Sequence, residues 1–383
     1  MYDTRFAGKG MPGNKNYAVH WSAHEPSNEF KLFYLLDRAR NYQDYLNAVK
    51  YLKTPGQNCI FACKNGDIAL RAQGNFPAKW KGQGDFVMPG EDSSFMWQGM
   101  IPFEEMPYQY NPARGFVSSA NQRQLDTTYP YYLGRDYPPF RGWYLNKQLD
   151  NRQMISVQDM MSLQTSNYNA FASMAMPLFV KYVLSGKLTS DGRRYYDELK
   201  RWNGSSDATS TSATVFELAW QSLYDTIYND EFQHAPEITM KPFRSTLAEA
   251  LLRDSAYKFV DNINTPWTES IYDIATAAFN RAALSAKKLE EEGKLEWSSY
   301  KDTHIDYLLK LAPFSRQHVI SGGCGQSLNA MKANHGPSWR MIVSLTPQTE
   351  AYGVYPGGQS GNPGSLFYED GIDTWAAGNY YPL

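Results

Sequence analysis

Asn58 follows Thr54-Pro55-Gly56-Gln57 and opens an apolar stretch, Cys59-Ile60-Phe61-Ala62. An asparagine amide fixed at the mouth of a strand can donate N–H bonds to the negative oxygen that forms when an amide carbonyl is attacked. One such donor is typically worth about 2.7–4 kcal/mol of barrier. The competing reading is a turn cap after Pro55-Gly56. Further on, His335-Gly336-Pro337-Ser338-Trp339-Arg340 brings an imidazole, a hydroxyl and a guanidinium within six residues. This is not a Gly-x-Ser-x-Gly elbow, and no tight strand–turn–helix follows it. His335 and Arg340 therefore read as orienting residues at the entry to a strand. Gly357-Gly358 and Gly361 match neither the dinucleotide nor the Walker spacing. Their bland role is a tight turn, which Gln359, Ser360 and Asn362 can cross-link.

Other constellations carry less. His20 and His24 lie four apart beside Glu25 on an extended segment, so the helical zinc pattern is absent. Glu104-Glu105 and Glu369-Asp370 are adjacent acids, and adjacency does not set two carboxyls about 5–10 Å apart across a cleft. The aromatic content keeps a glycan-binding or glycan-cleaving alternative open. Core and interface packing is the simpler use of those rings.

The elements that must position these residues follow from periodicity and turn chemistry. Residues 17–21 read as a short strand. Ser27 or Asn28 caps a helix to about Arg40, apolar around much of its circumference and so expected to be buried. A second helix covers about 42–52. Strands 58–63 and 67–72 form a hairpin across Asn65-Gly66. Residues 73–150 are rich in Pro, Gly and Trp and read as ordered loops with short strands. From 156 to about 293 the pattern is helical. Within it Thr265-Pro266 opens one helix, Gly293 ends it, and 205–212 forms a polar surface loop. Trp339, Met341, Val343 and Leu345 then alternate with Arg340, Ile342 and Ser344, pairing with 351–355. Three segments result: a sheet-forming core with hairpin and loops at 1–150, a mainly helical region at 151–315, and returning strands with a tail at 316–383.

The chain has 383 residues, a net charge of -2 and only three cysteines. Its length allows a large core. The charge balance leaves no electrostatic footprint for nucleic acid. Cys59 and Cys63 would lie roughly 13 Å apart along a strand, beyond disulfide reach. No apolar run has transmembrane length, and the first residues lack the pattern of a signal peptide.

Four stretches together resemble the penicillin amidase family of N-terminal-nucleophile amide hydrolases, in the C-terminal part of the large subunit. They are the Asn58 strand with its Asn-Gly hairpin, the run from His335 to Arg340, Pro356-Gly357-Gly358-Gln359-Ser360-Gly361-Asn362-Pro363, and Phe367-Tyr368-Glu369-Asp370. The resemblance implies an α+β fold, part of an αββα sandwich with a helical insertion. It implies hydrolysis of a non-peptide amide in a β-lactam, an N-acyl amino acid or an N-acyl homoserine lactone. Asn58 takes the place of the family's oxyanion asparagine. Lys79, in Gly74-Asn75-Phe76-Pro77-Ala78-Lys79, takes the place of a basic residue, commonly Arg, near the substrate. Lys is a point charge and lacks Arg's bidentate grip. Asn121 ends Phe116-Val117-Ser118-Ser119-Ala120-Asn121, like a family strand beside the cleft.

In that family the nucleophile is a Ser freed at the start of the large subunit, and its own α-amine is the base. Ser27-Asn28, Ser166-Asn167, Gly204-Ser205 and Gly364-Ser365 do not lead sheet strands, so the sequence reads as an acylase part without its attacking atom. The expected partner is an upstream acylase half, with a small-molecule acyl amide as substrate. A split or inactive half is the alternative. No cofactor is required for the chemistry. Calcium binding is implied for the full-length protein, with ligands mostly outside this chain, as is a periplasmic or secreted location.

Overall fold

The computed structural model describes residues 19–124, 128–134, 138–235 and 241–383. The chain divides into two compact units. One comprises residues 1–153 with 345–349, the other 154–344 with 350–383.

In the first unit, two short helices support a three-stranded antiparallel sheet. Helix α1, Glu29–Leu36, starts where the Asn28 side chain accepts from the Lys31 N–H. Helix α2, Tyr42–Val49, is capped in the same way by Asn41. Strands β1, Gln57–Ala62, and β2, Ile68–Gln73, form the hairpin, with Gly66 at φ 96° in its turn. Strand β3, Tyr108–Tyr110, adds to β2. Leu32, Tyr45, Ala48, Val49 and Leu52 form the core beneath, and Cys59 and Phe61 of β1 reach down to it.

Two sequence expectations fail here. Residues 17 and 18 lie outside the described residues, and 19–21 form no strand but lead into a single 3₁₀ turn, Ser22–His24. Helix α1 is also not buried. Only Leu32 is enclosed, while Phe30 is 89% exposed and Phe33 and Tyr34 are open. The helix rests on α2 through a single stripe (Leu32, Leu35, Leu36), which leaves the rest of its apolar circumference facing outward.

The second unit is built on helices. The long helices α7, Thr211–Gln233, and α9, Ile271–Glu291, form its centre. Against them lie α5 (Ala172–Tyr182), α6 (Ser190–Lys200) and α10 (Trp297–Lys301), with α8 (Arg244–Arg253) on α5 and α4 (Val157–Gln164) against the strand Arg340–Ser344. The core is aromatic: Phe179 meets Trp220 and Phe279 edge-on at 5.8 and 5.9 Å. Such pairs add about 0.5–1.5 kcal/mol beyond area burial.

Helix α9 begins at Ile271, where Ser270 accepts from the Asp273 N–H, and not at Thr265-Pro266. The serine cap satisfies an orphan donor, which a proline at the first turn does not do. The segment 205–212 is not simply a surface loop. Ser206 is buried, Ser210 caps α7, and Thr211 already belongs to the helix.

The chain then forms a ribbon of β4, Thr303–Ile305, with β5, Arg316–Val319. It ends in a sheet of β6 (Arg340–Ser344), β7 (Glu350–Val354) and β8 (Tyr381–Pro382), with α11 (Ile372–Ala376) before the last strand. Along β6, Arg340 and Ile342 point inward, while Met341 and Val343 are exposed. The apolar members of the alternation thus make an open sheet face, continued by Trp339, Tyr381 and Leu383.

Candidate active site

Alternation places Asn58. Cys59 and Phe61 turn toward the α1/α2 core, so Asn58 and Ile60 stand on the opposite, exposed face of the sheet. Two anchors fix the strand. The Tyr45 hydroxyl donates to the Cys59 carbonyl at 2.9 Å, and Asn58 lies opposite Ala72 in the β1–β2 register. The strand's entry needs glycine, because a Cβ on Gly74 would come within 2.8 Å of the Gly56 Cα.

The Asn58 amide is oriented. Its Nδ2 donates to Ser119 Oγ at 2.8 Å. An amide nitrogen carries two hydrogens, so this bond holds the group and leaves a second donor. Ser119 belongs to a braced segment. Ser118 Oγ donates to Asn146 Oδ1 at 2.9 Å, and Arg114 Nη1 donates to the same oxygen at 2.9 Å. Gln122 accepts from the Ala120 N–H at 2.6 Å and donates to the Ser118 carbonyl at 3.2 Å. Asn146 lies on α3, Phe140–Asp150, so the helix holds the segment that holds the amide.

Asn121 follows two residues after Ser119, at φ 67°, and its Oδ1 accepts from Arg141 Nη2 at 2.6 Å. The left-handed conformation, which asparagine tolerates, turns the chain toward α3. Lys79 is half-buried. Its ammonium lies 5.3 Å from the centre of the Tyr132 ring, and Tyr132 donates to Asp85 at 2.6 Å. Burial pulls the Lys79 pKa down, with Asp85 opposing that shift.

The remaining sequence candidates lie in the second unit. Arg340 is 2% exposed. It donates from Nη1 to the Trp375 carbonyl at 2.6 Å and from Nη2 to Asn329 Oδ1 at 2.8 Å. Asn329 passes a bond to Asn167 at 2.8 Å, and Asn167 passes one to Asp207 at 2.9 Å. Burial lowers the Arg340 pKa. Arg340 thus ties β6 to α11 and to the 327–331 turn. His335 is exposed, and its carbonyl accepts from the Lys332 N–H at 2.7 Å. Gln359 is also exposed. The structure brings Asn58 into contact with Ser119, close in sequence to Asn121, and brings Arg340 to Asn329. Ser119, Asn146 and Asn329 were not singled out by sequence reasoning. The pair Ser118-Ser119 just before Asn121 was the available signal for the first.

Among the described residues, no three of His, Cys, Asp and Glu gather to hold a metal ion, and no helix is long and apolar enough to cross a membrane.

An α+β chain with an amide donor held at the open face of a sheet suits an acyl-transfer hydrolase. The model of the penicillin amidase family matches residues 3–383, and the chain belongs to that family. Its curated relatives include an acyl-homoserine lactone acylase, QuiP, of Pseudomonas syringae pv. syringae (strain B728a), 25% identical over all of this chain and 51% of the relative. QuiP of Pseudomonas fluorescens (strain Pf0-1) is 27% identical over 92% of the chain and 46% of its own length. Penicillin G acylase of Escherichia coli is 26% identical over 44% of the chain and 20% of its own length. The chain thus spans about half the length of the first two relatives. Among solved structures, the thermostable penicillin G acylase from Alcaligenes faecalis aligns with a TM-score of 0.60 and 16% identity. The alignment covers 92% of this chain and 68% of that one. The fold is that of the N-terminal-nucleophile hydrolases, here as an α+β part of the αββα sandwich with a helical insertion.

Proposed function

We propose that this chain is the oxyanion-bearing part of an acylase that hydrolyses a non-peptide amide, releasing an acyl group from a β-lactam, an N-acyl amino acid or an N-acyl homoserine lactone. The single observation that carries the reading is the Asn58 amide, fixed by Ser119 on an exposed sheet face. The attacking group is an N-terminal Ser supplied from outside these residues, by an upstream acylase half. The internal Ser-Asn and Gly-Ser pairs support this. Asn28 is spent capping α1, and Ser166-Asn167, Gly204-Ser205 and Gly364-Ser365 lie outside every strand.

In the reaction the serine oxygen adds to the amide carbon while its α-amine takes the proton. The carbonyl oxygen becomes negative, and the free Asn58 N–H donates to it. The C–N bond then breaks, the amine leaves with the proton, and water releases the acyl group by the same route. Lys79 and Asn121 lie toward the substrate in this reading, and His335, Arg340 and Gln359 support the returning strands. The chemistry requires no cofactor, and calcium in the complete protein takes its ligands mostly outside these residues. The location is periplasmic or secreted.

The test is release of chromogenic amine from acyl anilides, and of homoserine lactone from its acyl derivatives. The chain is assayed alone and assembled with an upstream acylase half. Turnover only in the assembled form supports the reading. Turnover that co-purifies with the chain alone overturns it.

A further inference from the structure

Lys301 ends α10 and is almost wholly enclosed, at 9% exposure. Among the described residues its ammonium has no carboxylate partner. Nζ donates instead to Ser321 Oγ at 3.0 Å and to the carbonyls of Gly322 and Gly323 at 2.8 and 3.3 Å. The Ser321 hydroxyl in turn donates to Thr303 Oγ1 on β4 at 3.1 Å. Ser321 and Gly322 form part of the wall of a cavity of about 590 Å³, with Asn167, Asn329, Arg316 and His318 among its other lining residues. The buried lysine therefore stands directly behind a cavity wall.

Both protonation states of this amine can be satisfied, but not by the same bonds. The ammonium has three donors and meets three acceptors. The neutral amine has two N–H groups and one lone pair. The two donors suffice for the Gly322 and Gly323 carbonyls, and the lone pair must then accept the Ser321 O–H. That hydroxyl can point only one way at a time, so it leaves Thr303.

We propose that the protonation state of Lys301 selects whether the Ser321 hydroxyl is held by Thr303 or by Lys301, and so couples the cavity wall to β4 in a pH-dependent way. Burial favours the uncharged amine and pulls its pKa down to about 7, which puts the exchange within the physiological range. The titratable neighbour on the same turn is the Cys324 thiol, which would oppose that shift only as a thiolate, and burial raises the thiol's own pKa. Glu217 and Arg244, which pair at 2.6 Å, act on neighbouring Tyr300, and Glu217 also acts on Cys324. Trp297 Nε1 donates to the Gly323 carbonyl at 2.8 Å, a bond that does not involve the lysine and anchors the turn.

The experiment is a pH titration of the full chain, with lysine labelled at the amine and ε-carbon and backbone amides observed by NMR. One lysine, absent in Lys301→Met, is expected to titrate at least two pH units below the others. The Thr303, Ser321 and Gly322 amides should shift with the same midpoint. In Ser321→Ala the lysine step is expected to persist while the Thr303 response disappears. This second variant removes only a hydroxyl and serves even where Lys301→Met fails to fold. A Lys301 amine that stays charged through pH 10 overturns the proposal. So does a titration that leaves Thr303 unmoved, or a Thr303 response that survives in Ser321→Ala.

Discussion

Asn58 Nδ2 and Ser119 Oγ meet at 2.8 Å across 61 residues of chain, and this bond fixes which way the amide points. The serine does not need to touch substrate to matter, because a donor is effective only when already aimed at the oxygen that becomes charged. In the assembled enzyme, Ser119→Ala should lower kcat about tenfold with KM little changed, as expected for a misaimed donor. Ser119→Thr keeps the hydroxyl and should recover most of the rate. Equal losses in both variants would mean that the segment is only structural.

The hairpin that carries Asn58 was legible because an Asn-Gly pair between two apolar stretches names its own turn. The placement of Asn58 on the open face follows from simple alternation with Cys59 and Phe61. The Ser119 bond was not legible, since no local pattern joins two positions so far apart. The exposure of Phe30 and Phe33 was equally hidden. Periodicity says how much of a helix is apolar, but not how much of it a neighbour covers. Lys301 gave no signal either, because a lysine closing a short helix reads as a solvated end. Only the tertiary structure puts it under Ser321 and Gly322.

Arg340 should be a stability residue. Its guanidinium serves the Trp375 carbonyl and Asn329 from inside the unit. Arg340→Met removes both bonds; the Trp375 carbonyl still accepts from the Gly378 N–H at 3.1 Å, but the buried Asn329 Oδ1 loses its donor, at a cost of about 1–3 kcal/mol. Arg340→Lys keeps the charge, but its single ammonium lacks the planar fork that spans the two acceptors, and it should also lose stability. Melting curves check this. Unchanged melting in Arg340→Met would remove the structural role assigned to it.

Lys301 makes stability depend on pH with a definite sign. Its folded pKa, about 7, lies below the value of about 10.4 expected when unfolded. Between these values the unfolded chain binds more protons, so stability should rise with pH by up to about 1.4 kcal/mol per unit. Below about 7 both states are protonated and this contribution is flat. Denaturant melts from pH 6 to 10 should show the rise in the native chain and not in Lys301→Met. A slope that persists in the variant assigns it to other groups.

The outer face of the last sheet should make the isolated chain associate. Trp339, Met341, Val343, Tyr381 and Leu383 are exposed on it, and a contiguous apolar patch in water seeks cover. Light scattering across a concentration series should show oligomers for the native chain. Met341→Lys with Val343→Lys should shift it toward monomer, at small cost to folding because both side chains are exposed on the sheet surface. A monodisperse native monomer would contradict this expectation.

The most direct measurement is steady-state kinetics of Asn58→Ala in the enzyme assembled with an upstream acylase half, with melting curves as control. The substitution removes an amide donor from an exposed position and no core volume. If Asn58 stabilises the tetrahedral intermediate, kcat should fall roughly 10²–10³-fold with substrate affinity little changed and folding intact. Asn58→Asp should be slower still, because it sets a negative charge beside the developing oxyanion. Near-normal turnover in Asn58→Ala would contradict the assignment and leave Asn58 as a strand residue that only ties β1 to the Ser119 segment.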